Sequence, residues 1–259
     1  GAGGAGMKLN VVEAGQGAPV AILHGLLGSA GNFGTIQKAL AGQGHRVLAL
    51  DARNHGASPH ALTMTYPEMA EDVAETLAAH GAWPAAVVGH SMGGKTAMAL
   101  ALRHTAGVSR LLVADIAPVT YPNPPFAKYV AAMRALPLRP GLTRREADAA
   151  LAETVPEAML RGFLLQNLRF TEDPPRWRIG LDAIAADMAG LGGWPAPAGR
   201  YDGPVTVLSG DRSDYIRPEH HPEFTRLFPH ARFETMPAGH WLHADNPRDF
   251  LATVTRWLG

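Results

Sequence analysis

The sequence predicts an open α/β fold: a mostly parallel sheet with helices on both faces. Three observations lead there. Short, nearly unbroken apolar runs recur along the chain, amphipathic stretches alternate with them, and one long central segment interrupts the rhythm. The runs are Val20–Leu23, Val47–Leu50, Ala85–Val88, Leu111–Ala114 and Val205–Leu208, followed by the alternating segment Arg232–Met236. Such runs suit strands buried on both faces, the condition of a parallel sheet covered by helices. Met69–His80 and Met92–Arg103 have helical spacing and fill two of the intervals. Ligands of these sheets gather at the carboxyl ends of the strands, so the residues after each run carry the functional argument.

The interruption opens on Tyr121-Pro122-Asn123-Pro124-Pro125 and closes on Trp194-Pro195-Ala196-Pro197. Prolines at both edges mark chain that leaves the sheet and rejoins it. Inside, Thr143-Arg144-Arg145-Glu146 has the form of a capping box. Pro156 suits the first turn of another helix, through Met159, Leu160, Phe163 and Leu164. The expected organisation is a core of residues 7–119 and 201–259, with a helical cap over the strand ends at 120–200. A small second domain with its own core is the competing reading. Residues 1–6, alternating glycine and alanine, read as an added leader before Met7. They have neither the basic nor the apolar segment of a signal peptide.

Composition removes several function classes. Of 259 residues, 46% are hydrophobic and 18% charged. The charged share is below the ~25% of average soluble domains, so much of the chain packs inside. The net charge is zero and no block of five like charges occurs, which leaves no basic surface for nucleic acid. The absence of cysteine excludes disulfides, thiolate metal ligands and a cysteine nucleophile. No apolar stretch approaches the ~20 residues of a membrane span. A cytoplasmic location is expected, and the oligomeric state is left open.

The chemistry concentrates in four places. Gly89-His90-Ser91-Met92-Gly93 joins a strand-like run to a helical stretch, the context in which Gly-x-Ser-x-Gly presents a nucleophilic serine on a sharp turn. A glycine-rich turn with a spectator serine is the competing reading. The helix end behind Ser91 favours the negative charge of an acyl-transfer intermediate. His24-Gly25-Leu26-Leu27-Gly28-Ser29 follows the Val20–Leu23 run, and Gly25 lets its backbone lie against the serine. The N–H groups of Leu26 and Met92 are the expected oxyanion donors, with His24 structural.

A serine needs an imidazole to take its proton. His240, in Pro237-Ala238-Gly239-His240-Trp241, lies after the last strand, as the order serine, acid, histidine requires. His243 is the alternative, and His220 and His221 sit in a polar helix start. The acid must hold the imidazole in the right tautomer. After Val205–Leu208 the usual pattern would place a carboxylate where Ser213 stands, with Asp211 and Asp214 each out of step. Asp115, at the end of the Leu111–Ala114 run, is the preferred acid, because a carboxylate ending an apolar strand needs a partner. Ser213 is then expected to add a hydrogen bond to His240.

With these residues in place, the chain resembles the α/β-hydrolase superfamily, and more narrowly the small YbfF-type serine esterases. The resemblance rests on His24–Ser29, on Asp51-Ala52-Arg53-Asn54-His55-Gly56-Ala57-Ser58, on Gly89–Lys95, on Asp115-Ile116-Ala117-Pro118 and on Gly239-His240-Trp241. It implies an acid matching Asp115 with a serine matching Ser213. The Asp51–Ser58 segment reads as structural, Asp51 and Arg53 tying neighbouring loops. Lys95, early in the nucleophile helix, opposes the helix dipole and is expected to pair with a buried carboxylate.

The expected function is hydrolysis of small acyl esters or thioesters through an acyl-enzyme, with no metal and no organic cofactor. Phe126, Phe163 and Trp194, with Met133, are candidates for an acyl pocket. Rival readings are a lactonase, perhydrolase or carbon–carbon hydrolase on the same fold, and a non-catalytic small-molecule receptor.

Overall fold

The computed structural model describes residues 6–259; the leader residues Gly1–Ala5 lie outside the described residues. Seven strands form the main sheet: β1 (Val11–Ala14), β2 (Ala18–Leu23), β3 (His45–Leu50), β4 (Ala85–His90), β5 (Val108–Ala114), β8 (Val205–Gly210) and β9 (Ala231–Met236). Their order is β1-β3-β2-β4-β5-β8-β9, and all neighbours are parallel except β1 and β3. The six runs read from sequence all lie in strands. β1 has no counterpart among them, because its sequence Val-Val-Glu-Ala is an exposed edge with no unbroken apolar signal.

Alternate residues of each strand explain those runs. Ala21, Leu23, Leu48, Val87, Leu111 and Val113 pack on one face with α2 (Tyr66–Ala79) and α3 (Met92–Arg103). Val20, Ile22, Val47, Ala49, Val88 and Leu112 pack on the other with α1 (Gly34–Gly42) and the helix Pro247–Leu258. Both faces are dry, so no polar alternation survives. Residues Met92–Leu102 of α3 are all buried, which fits a helix apolar on every side.

Two features of the sheet place the site. β2 lies between β3 and β4, so the chain reverses its direction of winding there and opens a crevice at the carboxyl ends of β2 and β4. The register then levels the strand ends. Leu23 pairs with Gly89, His90 with Ala114, and Ala114 with Leu208. Ser91 and Asp115 therefore leave the sheet side by side.

Between β5 and β8 lie α4 (Phe126–Ala135), α5 (Arg144–Leu151), α6 (Ala158–Leu165), the hairpin of β6 (Leu168–Arg169) and β7 (Arg176–Trp177), then α7 (Leu181–Ala186) and α8 (Met188–Gly192). Thr143 caps α5, and Glu146 returns the bond to the Thr143 N–H, each at 3.2 Å. Pro156 is not in the first turn of α6: the helix begins at Ala158 behind Glu157, and the proline ends the preceding loop. Leu136, Leu142, Ala147, Leu151, Leu165 and Leu168 form a small cluster of their own. Val130, Met133, Leu164, Ile179 and Ile184 instead join the core under the sheet. The segment thus leans on the sheet's core and closes only a minor core within itself.

Asp51 and Arg53 tie loops together as the sequence suggests. Asp51 accepts from the Ala30 and Ala57 N–H groups and from Asn10, at 2.8–2.9 Å. The Arg53 guanidinium grips both oxygens of buried Asp72, at 2.7 and 2.8 Å, and reaches Glu68 at 2.9 Å.

Candidate active site

The turn from β4 to α3 is built by exclusion. A Cβ at Gly89 would meet the Gly93 carbonyl at 2.2 Å, and one at Gly93 would meet the Leu23 carbonyl at 2.2 Å. With both positions bare, Ser91 takes φ of 55°, a left-handed conformation unusual for a residue with a side chain, at the N-cap of α3. His90 faces the other way, and its Nε2–H donates to the His240 carbonyl at 2.7 Å. Burial holds His90 well below its ordinary pKa, so it stays neutral and braces the histidine loop.

Three buried side chains line up across the strand ends. Ser91 Oγ lies 3.0 Å from His240 Nε2, and His240 Nδ1 lies 2.7 Å from Asp115 Oδ2. A carboxylate only accepts, so Nδ1 carries the proton and Nε2 is free to accept from the serine. Asp115 is fully buried. Its Oδ1 takes the Gly210 N–H at 3.1 Å, and its Oδ2 takes the Ser213 hydroxyl. The two other carboxylates lie elsewhere: Asp211 accepts from the Ala238 N–H, and Asp214 is exposed.

The expected bond from Ser213 to His240 is corrected by the structure: the hydroxyl donates to the carboxylate instead. That position stiffens the acid and leaves the imidazole to Asp115 alone. If Asp115 orients His240, Ser213→Ala is expected to lower kcat by about tenfold, the scale of one charge-assisted hydrogen bond, with KM unchanged. An unaltered kcat would show the contact to be idle.

The loop after β2 lies against the serine because Gly25 has no side chain; a Cβ there would come within 3.2 Å of Ser91 Cβ. Among the described residues, neither the Leu26 nor the Met92 N–H has a hydrogen-bond acceptor, and both residues border a cavity that reaches Ser91. Two buried histidines hold this loop. His24 Nε2 accepts from the Ala52 N–H, and His55 Nε2 accepts from the Leu27 N–H, each at 2.9 Å. From the inserted segment, Asn167 donates to the Leu27 carbonyl at 2.9 Å. Nothing in the sequence around Asn167 signals that role.

Burial pushes His55 down to about 3 and His243, stacked 4.0 Å from Phe33, down to about 4. The unfolded chain protonates such residues near pH 6.5. Between that pH and the folded values the unfolded state binds the extra protons, so stability falls as pH falls. Each group contributes up to about 1.4 kcal/mol per pH unit. Thermal unfolding is expected to give a lower Tm at pH 5 than at pH 7.5, with a smaller drop in His243→Gln. An equal drop in that variant would contradict this account.

Two cavities flank Ser91. One is bordered by Leu26, Met92, Lys95, Tyr121 and Tyr215, the other by His24, Phe163, Trp241 and His243, and Phe126 reaches both. Trp194 lines neither; it packs half-buried against the main core, where Met133 is also enclosed. Tyr215, which no motif marks, stacks on the His240 ring at 4.0 Å. Lys95 has no carboxylate partner among the described residues, contrary to expectation. It donates to the carbonyls of Gly193 and Gly192 at the end of α8, at 2.6 and 3.2 Å.

The profile of the alpha/beta hydrolase fold family matches residues 18–179. The chain belongs to the α/β-hydrolase family. Within it, the chain is 43% identical over 246 residues to the mouse sn-1-specific diacylglycerol lipase ABHD11, covering 92% of this chain and 80% of that one. It is 33% identical to esterase YbfF of Escherichia coli K12, covering 97% and 99%. Among solved structures, a marine microorganism esterase superposes with a TM-score of 0.93 at 36% identity, covering 97% and 99%. Among the described residues, no helix of this α/β hydrolase is long and apolar enough to cross a membrane.

Proposed function

We propose that this carboxylesterase-like serine hydrolase cleaves small carboxylic esters, and thioesters by the same chemistry, through an acyl-enzyme on Ser91. The observation that carries the reading is the continuous line Ser91–His240–Asp115, at 3.0 and 2.7 Å, beside two backbone N–H groups without protein acceptors. Ser91 Oγ attacks the carbonyl carbon while its proton passes to His240 Nε2. The carbonyl oxygen becomes an oxyanion that Leu26 and Met92 hydrogen-bond. Asp115 stabilises the imidazolium. The intermediate collapses, the ester C–O bond breaks, and the departing alcohol takes the proton from His240. Water then repeats the sequence on the acyl-enzyme and releases the acid, restoring Ser91.

In this reading, residues 120–200 act as the cap that walls the site. Phe126 and Phe163 supply apolar surface to the flanking cavities, and Trp194 has no substrate contact. The test is covalent trapping. A 4-nitrophenyl alkylphosphonate should release one nitrophenolate per chain and leave its phosphonyl mass on the peptide holding Ser91. Labelling elsewhere, or none, would remove the acyl-enzyme mechanism. A series of ester chain lengths would then size the cavities.

A further inference from the structure

In both halves of the acyl-transfer reaction His240 becomes a cation, first with the proton of Ser91 and then with that of water. Asp115 meets that charge at Nδ1, along the edge of the ring. The face of the ring meets something else. Tyr215 lies nearly parallel to it, with ring centres 4.0 Å apart and planes inclined by 22°. Trp241 and Phe126 stand at 75° and 63°, with centres 5.3 and 6.4 Å away, and His90 is tilted by 42° at 4.9 Å. Among the described residues, Tyr215 is therefore the ring stacked on the imidazole.

Tyr215 is held there by its backbone. Its N–H donates to Ser213 Oγ at 3.3 Å, and its carbonyl accepts from the Tyr121 hydroxyl at 2.7 Å. The Tyr121 oxygen in turn accepts from the N–H of Ala117 at 2.9 Å, just beyond Asp115. The ring that covers the imidazole and the carboxylate that orients it are thus fixed to the same strand end.

The titratable groups facing His240 are Asp115 from β5, His90 from β4, His243 from the turn of helix after it, and Tyr215 itself. Burial keeps His90 and His243 neutral, and burial with the Asp115 charge pushes the Tyr215 phenol up to about 12. Of these groups only the Asp115 carboxylate bears a charge. An aromatic face carries partial negative charge, so it attracts an imidazolium stacked on it and offers a neutral imidazole far less. The attraction is larger where water is excluded, and His240 is 9% exposed.

We propose that Tyr215 is a positioning residue for the reaction, its π face stabilising the His240 imidazolium that forms as Ser91 or water gives up its proton. The proposal rests on His240 as the base for Ser91. A base must be neutral to accept a proton, so kcat/KM rises with pH through its titration. Removing a group that favours the protonated ring moves that rise to lower pH.

The experiment records kcat/KM against pH for 4-nitrophenyl butanoate. Tyr215→Leu, which fills the place without a π face, is expected to lower kcat by about tenfold and to move the ascending limb down by about 0.5 to 1 pH unit. Tyr215→Phe, which keeps the face, should restore the wild-type limb. Mono-, di- and trifluorinated analogues of the Tyr215→Phe side chain keep its shape while withdrawing electron density from its face. Each added fluorine should move the limb further down, the last approaching Tyr215→Leu. A limb that stays fixed or rises across the fluorinated series overturns the proposal, even where Tyr215→Leu is slow or fails to fold, because Tyr215 would then only wall the cavity. Absence of any ester hydrolysis by wild type, together with no phosphonate adduct, would remove the acyl-enzyme reading and this proposal with it. A fixed limb in an active enzyme overturns the proposal alone.

Discussion

Ser91→Ala is expected to lower kcat/KM for every ester by about a million-fold, leaving only the residual rate from the oxyanion donors and binding. The size of the effect follows from position. The hydroxyl stands on a turn whose two glycines would clash with backbone if they carried a Cβ, and among the described residues no other hydroxyl shares His240 Nε2. Alanine keeps the backbone conformation and removes only Oγ, so the melting temperature should stay near that of wild type. Titrating both proteins with the phosphonate supplies the check. If the alanine variant retained more than about a thousandth of the wild-type rate, a different group would be the nucleophile.

The second large effect concerns the acid. Asp115→Asn is expected to reduce kcat by about 10⁴-fold, because an amide can offer the imidazole a donor where only an acceptor fits, and the wrong tautomer then faces Ser91. Asp214→Asn and Asp211→Asn are expected to keep turnover within about threefold of wild type, since neither carboxylate bonds to His240 and such surface sites are seldom critical. The discriminating measurement is the pH–rate profile of Asp115→Asn. Loss of the carboxylate should shift the ascending limb to lower pH, because a neutral amide no longer stabilises the imidazolium. Near-normal turnover in Asp115→Asn with loss in Asp214→Asn would reverse the assignment.

Both substitutions depend on how far a local pattern reaches. The sharp turn that carries Ser91 was readable because its requirements lie within five residues: glycine at 89 and 93, an apolar strand before and a helix after. The same holds for Gly25 and for the Thr143–Glu146 cap. Strands β2, β3, β4, β5 and β8 were readable because burial on both faces leaves an unbroken apolar signature. β1 was not, because an edge strand of four partly exposed residues carries no such mark.

Pairing across the chain is a different matter. Ser213 bonds to a carboxylate 98 residues away, and Asp115 to an imidazole 125 residues away. The loop after β8 offers two aspartates and a serine within four positions, and local sequence does not say which of them turns inward. Lys95 looked like the partner of a carboxylate because buried lysines usually need one. Its partners proved to be main-chain carbonyls of a helix nearly one hundred residues on, which carry no identity to read. Tyr215 and Asn167 were hidden for the same reason, as their roles exist only through the ring and the loop they meet.

The sequence by itself determined the fold class, the sharp turn that carries Ser91, the glycine that lets the loop after β2 lie against it, and a histidine after the last strand. Each is enforced by sterics or burial acting over a few neighbouring residues. Only the tertiary structure decided which acid meets the histidine, what Ser213 and Lys95 touch, and which aromatic side chains border the serine. Those choices rest on strand register and on the packing of the inserted helices, where a shift of one residue or one turn would bring different side chains together.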